Sequence, residues 1–254
     1  MKKKITIIGS GNVAFHLTKE LVEKNYSLSI YSRNAITGKE LSDFFSVPIY
    51  YSLKEINSKD LLIVCVNDDQ VIPLVNQLNK NAKVLYTSGS TSITDFEKRP
   101  FLACFYPMQT FNKNIPLDFK KIPIFVESTS NEFLTEVKLI AYELSNKVYL
   151  INSEQRLYLH IAAVFANNFS NFLQIIAQDV LNSQQIPTEV LDQLRTQTCE
   201  KWKNWDVVST QTGPAKRNDK KILKKHLSVL KNKEKEIYQL LSNSILEYYG
   251  HEKL

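Results

Sequence analysis

The six residues Gly9-Ser10-Gly11-Asn12-Val13-Ala14, directly behind the apolar run Ile5-Thr6-Ile7-Ile8, restrict this chain more than any other stretch. A β-rich run that ends in Gly-x-Gly-x-x-Ala predicts a strand turning sharply into a helix. Gly9 permits the turn, bare Gly11 admits a phosphate to the backbone, and small Ala14 lets the helix pack close to its strand. The unpaired N–H groups at such a helix start, with the helix dipole, favour an anion. The bland alternative is a tight strand-to-helix turn that holds no ligand.

Phe15, Leu17, Leu21 and Val22 then mark a helical stripe, and Leu28-Ser29-Ile30-Tyr31 reads as a second strand, which completes β-α-β. In a dinucleotide site of this kind an acid at the end of the second strand would hold the ribose of NAD. Here Ser32-Arg33-Asn34 stands there, with no carboxylate between Glu23 and Glu40. Arg33 suits a 2′-phosphate, with Ser32 and Asn34 donating to it, so NADP is expected rather than NAD. Otherwise Arg33 is simply an exposed loop residue.

The pattern continues with a helix over about 38–45, a short strand at 48–50 and the near-continuous apolar run 60–66, as expected of a parallel strand buried on both faces. It ends at Val66 and Asn67, which are placed at the carboxyl edge of the sheet as cofactor contacts. Asp68 and Asp69 are expected to cap a helix beginning near Val71 rather than to bind a metal. A strand at 84–87 leads to Ser88-Gly89-Ser90-Thr91, small residues that leave room for a nicotinamide or substrate. A strand at 101–105 leads to Tyr106-Pro107-Met108-Gln109-Thr110-Phe111. Further strands at 122–126 and 148–151 flank a helix at 131–144. Residues 1–151 therefore read as an α/β, doubly wound sheet.

From Asn152 no strand pattern follows. Asn152 with Gln155, or Ser153 alone, caps a helix running to about Gln184, on the order of 45 Å long. Its apolar residues, among them Leu157, Ile161, Phe165, Phe169, Phe172 and Val180, wrap more than one face, so it should be widely buried. Helices at about 188–205, 219–230 and 233–249 complete an all-α domain over 152–254. A domain of that size does not readily cover such a helix by itself, and a homodimer sharing the helices is expected.

The polar exceptions on the long helix are His160, Asn167, Asn168 and Asn171. At 100° per residue His160, Asn167 and Asn171 fall nearly on one line, with Asn168 beside it. Such a stripe suits a substrate cleft between the domains, with His160 as proton donor and the asparagines holding polar groups. It equally suits a buried polar seam satisfied by neighbouring helices. A second candidate is Thr212-Gly213-Pro214-Ala215-Lys216-Arg217-Asn218-Asp219, where Arg217 would hold a carboxylate or phosphate and Asn218 or Asp219 would start a helix. In the plainer reading Lys216 and Arg217 sit in water. Trp202 and Trp205 are expected to pack the helices.

Composition narrows the function classes. The net charge of +6 is local: residues 213–236 carry nine Lys/Arg against three Asp/Glu, which is the whole excess. That stretch lacks interleaved aromatics for base stacking, so nucleic acid is not the expected partner. Three cysteines without a Cys-x-x-Cys spacing argue against a disulfide framework and a zinc site, and fit a reducing cytoplasm. The apolar run behind Met-Lys-Lys-Lys is too short for an export signal, and no segment approaches the roughly 20 apolar residues of a membrane span.

Taken together, the turn at 9–14, the segment 106–111, the helix around His160 and the loop 212–219 resemble bacterial Rossmann-like proteins with a helical C-terminal domain of unknown function, over almost the whole chain. More distantly they resemble pyrroline-5-carboxylate reductases and the 6-phosphogluconate and 3-hydroxyisobutyrate dehydrogenases. The resemblance implies an NADP-type fold and helical dimerisation, with no particular substrate. Two departures stand out. The hydroxyacid dehydrogenases carry a catalytic Lys on the long helix, and this helix has none between Ser153 and Gln185. Relatives commonly place His where this chain has Tyr106, a residue that also donates a proton. The expected function is an NADP(H)-dependent oxidoreductase acting on a small carbonyl, imine or hydroxy compound, with His160 or Tyr106 delivering the proton, Asn167 and Asn171 orienting the substrate and Arg217 binding an anionic group. The rival is a dinucleotide-binding sensor or scaffold that performs no reaction.

Overall fold

A computed structural model describes residues 3–254. The chain divides into two compact units, one ending at Phe169 and the other spanning Ser170–Leu254. The first contains β1 (Lys4–Ile8), α1 (Asn12–Glu23), β2 (Ser27–Tyr31), α2 (Ala35–Phe45), β3 (Ile49–Tyr50), β4 (Leu61–Val64), α3 (Asp68–Val75), β5 (Lys83–Tyr86), β6 (Leu102–Pro107), β7 (Ile124–Ser128), α4 (Asn131–Leu144), β8 (Val148–Leu150) and α5 (Ser153–Ala163). The strands form one sheet in the order β3-β2-β1-β4-β5-β6-β7-β8. Alternate side chains of each central strand feed opposite faces: Ile5, Ile7, Leu61 and Ile63 join one core cluster, while Ile8, Leu62 and Val64 join the other. Both faces of the sheet are therefore packed, as the unbroken apolar runs require.

The first six strands are parallel, and the winding reverses between β1 and β4, where the loops after both strands open at the carboxyl edge. The doubly wound pattern ends there. β7 runs antiparallel to β6, joined to it by residues 108–123, which hold a 3-10 turn at Phe119–Lys121 and no helix. α4 then returns the chain to β8, parallel to β7.

Two helix starts differ from expectation for local reasons. Asn34 caps α2 by accepting from the Ile36 and Thr37 amides at 3.0 and 3.1 Å, so this helix begins at Ala35 and not near Gly38. α3 begins at Asp68, which places Asp68 and Asp69 in the first turn, where carboxylates favour the helix dipole, instead of ahead of it as caps.

The second unit holds α6 (Ser170–Asn182), α7 (Asp192–Asn204), α8 (Lys220–Val229) and α9 (Asn232–Tyr248). Asp219 caps α8 by accepting from the Ile222 amide at 3.2 Å. Its core is small, built on Ala215, Leu223 and Leu246. No residue of α6 or α7 is buried. The wide burial expected for the long helix is thus not reached within one chain. Trp202 and Trp205, expected between helices, are more than half exposed. The segment Val164–Phe169 that joins α5 to α6 is π-helical. Its wider turn breaks the 100° spacing on which the His160, Asn167, Asn171 line was drawn.

Candidate active site

The opening turn is forced by its neighbours. Gly9 has φ +128°, and a Cβ there would lie 2.1 Å from the Cys65 carbonyl oxygen just beyond β4. Only glycine tolerates both the dihedral and the approach. Its amide donates to the Tyr31 carbonyl at 2.8 Å, tying β1 to β2 at their ends. Gly11 is the N-cap of α1 and supplies no capping side chain. A Cβ on Gly11 would meet nothing within 4 Å, so the helix start faces open space with its first amides uncapped. That geometry fits a pyrophosphate. Val13 is half-buried against the core, and the Asn12 Oδ1 accepts from the Lys113 amide at 3.2 Å. The loop after Phe111 is therefore held over the first turn of α1, with His16 Nε2 also 2.9 Å from the Asn112 carbonyl oxygen.

At the end of β2 the expected donors separate. Ser32 is buried, and its hydroxyl donates to the Asn34 carbonyl at 2.9 Å while lying 2.9 Å from the Ser10 hydroxyl. Ser10 is in turn 2.7 Å from the Thr37 hydroxyl. Ser32 thus ties the turn after β1 to the end of β2. The Asn34 Oδ1 is spent on the α2 cap, and the residue is otherwise exposed. Arg33 is exposed, and its Nη1 donates to Gln70 Oε1 at 3.2 Å, so a residue of α3 that sequence reasoning passed over steadies the cation. Val66 is half-buried and Asn67 exposed at the same edge, where Asn67 precedes α3.

The chemistry converges one strand further along. Gly89, beyond β5, Tyr106 on β6 and His160 on α5 meet at one point. The Tyr106 hydroxyl and His160 Nδ1 are 3.2 Å apart. A Cβ on Gly89 would lie 2.7 Å from His160 Nδ1 and 2.9 Å from Tyr106 Cζ. The two rings thus pack against Gly89 on the side where a side chain would stand. Ser88 is buried and accepts from the Thr91 amide at 3.0 Å, so it shapes the loop. The open volume lies beside the pair: a cavity of about 460 Å³ lined by Tyr106, Gln109, Thr110, His160, Asn167 and Asn168 among others. The π-helical turn brings both Asn167 and Asn168 to this cavity, and π segments recur at functional sites. Burial, with smaller contributions from Cys104 and Asp68, pushes the Tyr106 phenol above its ordinary value, so it stays protonated at neutral pH.

Beneath the pair lies a network the sequence reading missed. Arg156, one helical turn before His160, is 1 % exposed. It pairs with Glu127 on β7 and donates to the Tyr86 hydroxyl at 3.0 Å and to the Thr91 carbonyl. Glu127 also accepts from the Ser153 amide and hydroxyl at 3.0 and 2.7 Å. A lone arginine in an apolar helix and a glutamate closing an apolar strand were the available signals.

In the helical unit Asn171 is exposed on α6, and Arg217 is exposed ahead of α8. Lys216 is not in open water: its ammonium donates to the Gln211 carbonyl at 2.7 Å and lies 5.2 Å from the Tyr249 ring centre.

Residues 4–88 match the family model described as NADP oxidoreductase coenzyme F420-dependent, and residues 122–245 match a domain of unknown function, DUF2520. No curated protein matches the chain. Among solved structures, a protein from Bacteroides fragilis described as a putative NADP oxidoreductase is 36 % identical over 97 % of this chain and 98 % of its own, with a TM-score of 0.88. A Thermotoga maritima protein is 22 % identical over 96 % and 98 %, TM-score 0.73. An imine reductase from Myxococcus stipitatus in complex with NADP+ is 12 % identical over 98 % and 96 %, TM-score 0.67, a likeness of fold. The Gly-rich turn, the acid-free end of β2, the sheet order and the 36 % identity along nearly the full length agree, and the chain belongs to the NADP oxidoreductase family represented by the Bacteroides fragilis protein.

Proposed function

We propose that the protein is an NADP(H)-dependent oxidoreductase that reduces a small C=N or C=O compound, or oxidises the corresponding amine or alcohol, at the cavity beside Tyr106 and His160. The observation that carries this reading is the 3.2 Å contact of the Tyr106 hydroxyl with His160 Nδ1 at the carboxyl edge of the sheet. NADPH, when bound, supplies the hydride. The chain supplies the matching proton: the Tyr106 hydroxyl hands it to the substrate nitrogen or oxygen, and His160 shares and replenishes it. Asn167 and Asn168 present amides to the substrate's polar groups. The dinucleotide-binding part is residues 1–151, with Gly9, Gly11 and the first turn of α1 at the pyrophosphate and Arg33 with Asn34 at the 2′-phosphate.

The helical part, 152–254, serves as the dimerisation region. Phe172, Leu194, Trp202 and Leu240 are all more than 45 % exposed, an apolar surface that a second copy of the chain would cover. Three unpaired cysteines suit a reducing, cytoplasmic setting, and among the described residues no helix is long and apolar enough to cross a membrane.

The test pairs calorimetry of NADPH and NADH with a screen of cyclic imines, ketones and amines followed by cofactor absorbance. Tighter NADPH binding with turnover of at least one compound is expected. Binding with persistent silence across the screen would favour the sensor reading, and failure of both cofactors to bind would end the dinucleotide assignment.

A further inference from the structure

We propose that buried Arg156, paired with Glu127, is a positioning residue that fixes His160 against Gly89 and Tyr106. Its two ends reach both sides of the contact. Through its backbone it belongs to α5, where His160 follows four residues later, one turn along the same face. Through Nη2 it holds the Thr91 carbonyl and the Tyr86 hydroxyl, and that hydroxyl also donates to the Thr91 carbonyl at 3.2 Å. Thr91 passes the constraint on: its hydroxyl lies 2.8 Å from that of Ser88, and Gly89 is the next residue. The first turn of α5 is pinned a second time, because Ser153 donates twice to Glu127 and accepts from the Ile93 amide at 2.9 Å. The loop carrying Gly89 and the helix carrying His160 are therefore referenced to one guanidinium.

Stability alone is a poor reason for this arrangement. Burying an ion pair costs desolvation that well-packed apolar side chains avoid. The Arg156 Nε also lacks a partner although it is buried, which leaves part of its hydrogen-bonding capacity unused. What the planar fork does supply is direction: separate nitrogens aimed at a carboxylate on β7 and at the oxygens of Tyr86 at the end of β5 and Thr91 beyond it, a pattern a lysine does not reproduce. The fit at Gly89 makes small displacements count, since the imidazole already lies where any Cβ would be. Arg156 also acts electrostatically, pulling the Tyr106 phenol down against the upward push of burial, Cys104 and Asp68.

The role rests in part on the reading of Tyr106 and His160 as proton donors, so the experiment carries one readout that needs no substrate. Full-length Arg156→Lys, Arg156→Met and Glu127→Gln are compared with Val137→Ala, a cavity variant in the buried face of α4. Long-range ¹H–¹⁵N spectra, with the His160 signals assigned through His160→Asn, report its tautomer. One tautomer is expected in the wild type, and a mixture in all three network variants. Val137→Ala, matched for loss of melting temperature, should keep the single tautomer. Where a substrate has been found, kcat should fall at least tenfold with KM and NADPH affinity within threefold, and Arg156→Lys should not restore it. If Arg156→Met does not fold, Glu127→Gln carries the test. An unchanged His160 spectrum in a folded network variant would overturn the proposal whatever the protein's reaction proves to be. An altered spectrum without any turnover in the wild type would uphold the positioning role while failing the oxidoreductase reading.

Discussion

The sheet-containing unit and the helical unit bury their apolar side chains to very different degrees. In the first, two clusters pack the two faces of an eight-stranded sheet, and β1, β4 and β5 are nearly inaccessible. In the second, three residues make the core, and α6 and α7 bury nothing. Both units have well-formed helices with identifiable caps, so local sequence is not what separates them. The difference is that a sheet covered on both sides satisfies its own surface, whereas the amphipathic helices present apolar faces that one chain leaves in water. Precision for chemistry is then expected where packing is complete, and association where it is not.

The largest effect should come from charging the open face. Phe172→Glu is expected to halve the mass seen in sedimentation, while Leu139→Glu, a more exposed apolar position on α4, should leave it unchanged. If both variants sediment as the wild type, the helical face is not the dimer contact. Glycine replacements probe the same contrast inside each unit. Gly9→Ala combines a disallowed dihedral with a Cβ placed on the Cys65 carbonyl, and should cost about 3 kcal/mol and abolish NADPH binding. Gly213→Ala also has a positive φ but meets no atom within 4 Å, so a loss of about 1 kcal/mol in denaturant unfolding is expected.

Arg33→Ala should weaken NADPH roughly 10- to 100-fold, the worth of a charge-assisted contact, with NADH affinity nearly unchanged by calorimetry. Equal loss for both cofactors would place Arg33 elsewhere than at the 2′-phosphate. A last effect, confined to alkaline pH, concerns the thiols. Burial pushes Cys65 and Cys104 up to about 12. An unfolded chain releases those protons from near pH 9, whereas the folded sheet retains them. Stability is therefore whole below pH 9 and falls as the pH rises toward 12, to be followed by thermal melts. Cys199, exposed on α7, should react with a thiol reagent in the folded protein while the two buried thiols stay protected.

What could be read directly from sequence was local. The Gly-x-Gly turn, the helix Asn131–Leu144 and the cap in which Asn152 and Gln155 bond reciprocally are each written within a few residues. Arg156 reaches Glu127 and Tyr86 across 29 and 70 positions, and no periodicity announces such a meeting. The antiparallel β7 was hidden because an apolar strand reads alike in either direction. Asn168 was placed only beside the line of His160, Asn167 and Asn171, because regular helical spacing was carried through a segment that is π-helical. His160 and Tyr106 were each singled out, but their contact depends on Gly89 having no side chain.

That contact is tested most directly by deuteride transfer from 4-deuterated NADPH to a converted imine or carbonyl compound, measured in wild type, Tyr106→Phe and His160→Asn with NADPH affinity recorded alongside. Transfer in the wild type, reduced about a hundredfold or more in both variants at unchanged affinity, is the expected result. Full transfer in either variant would contradict the proton-delivering role of the pair.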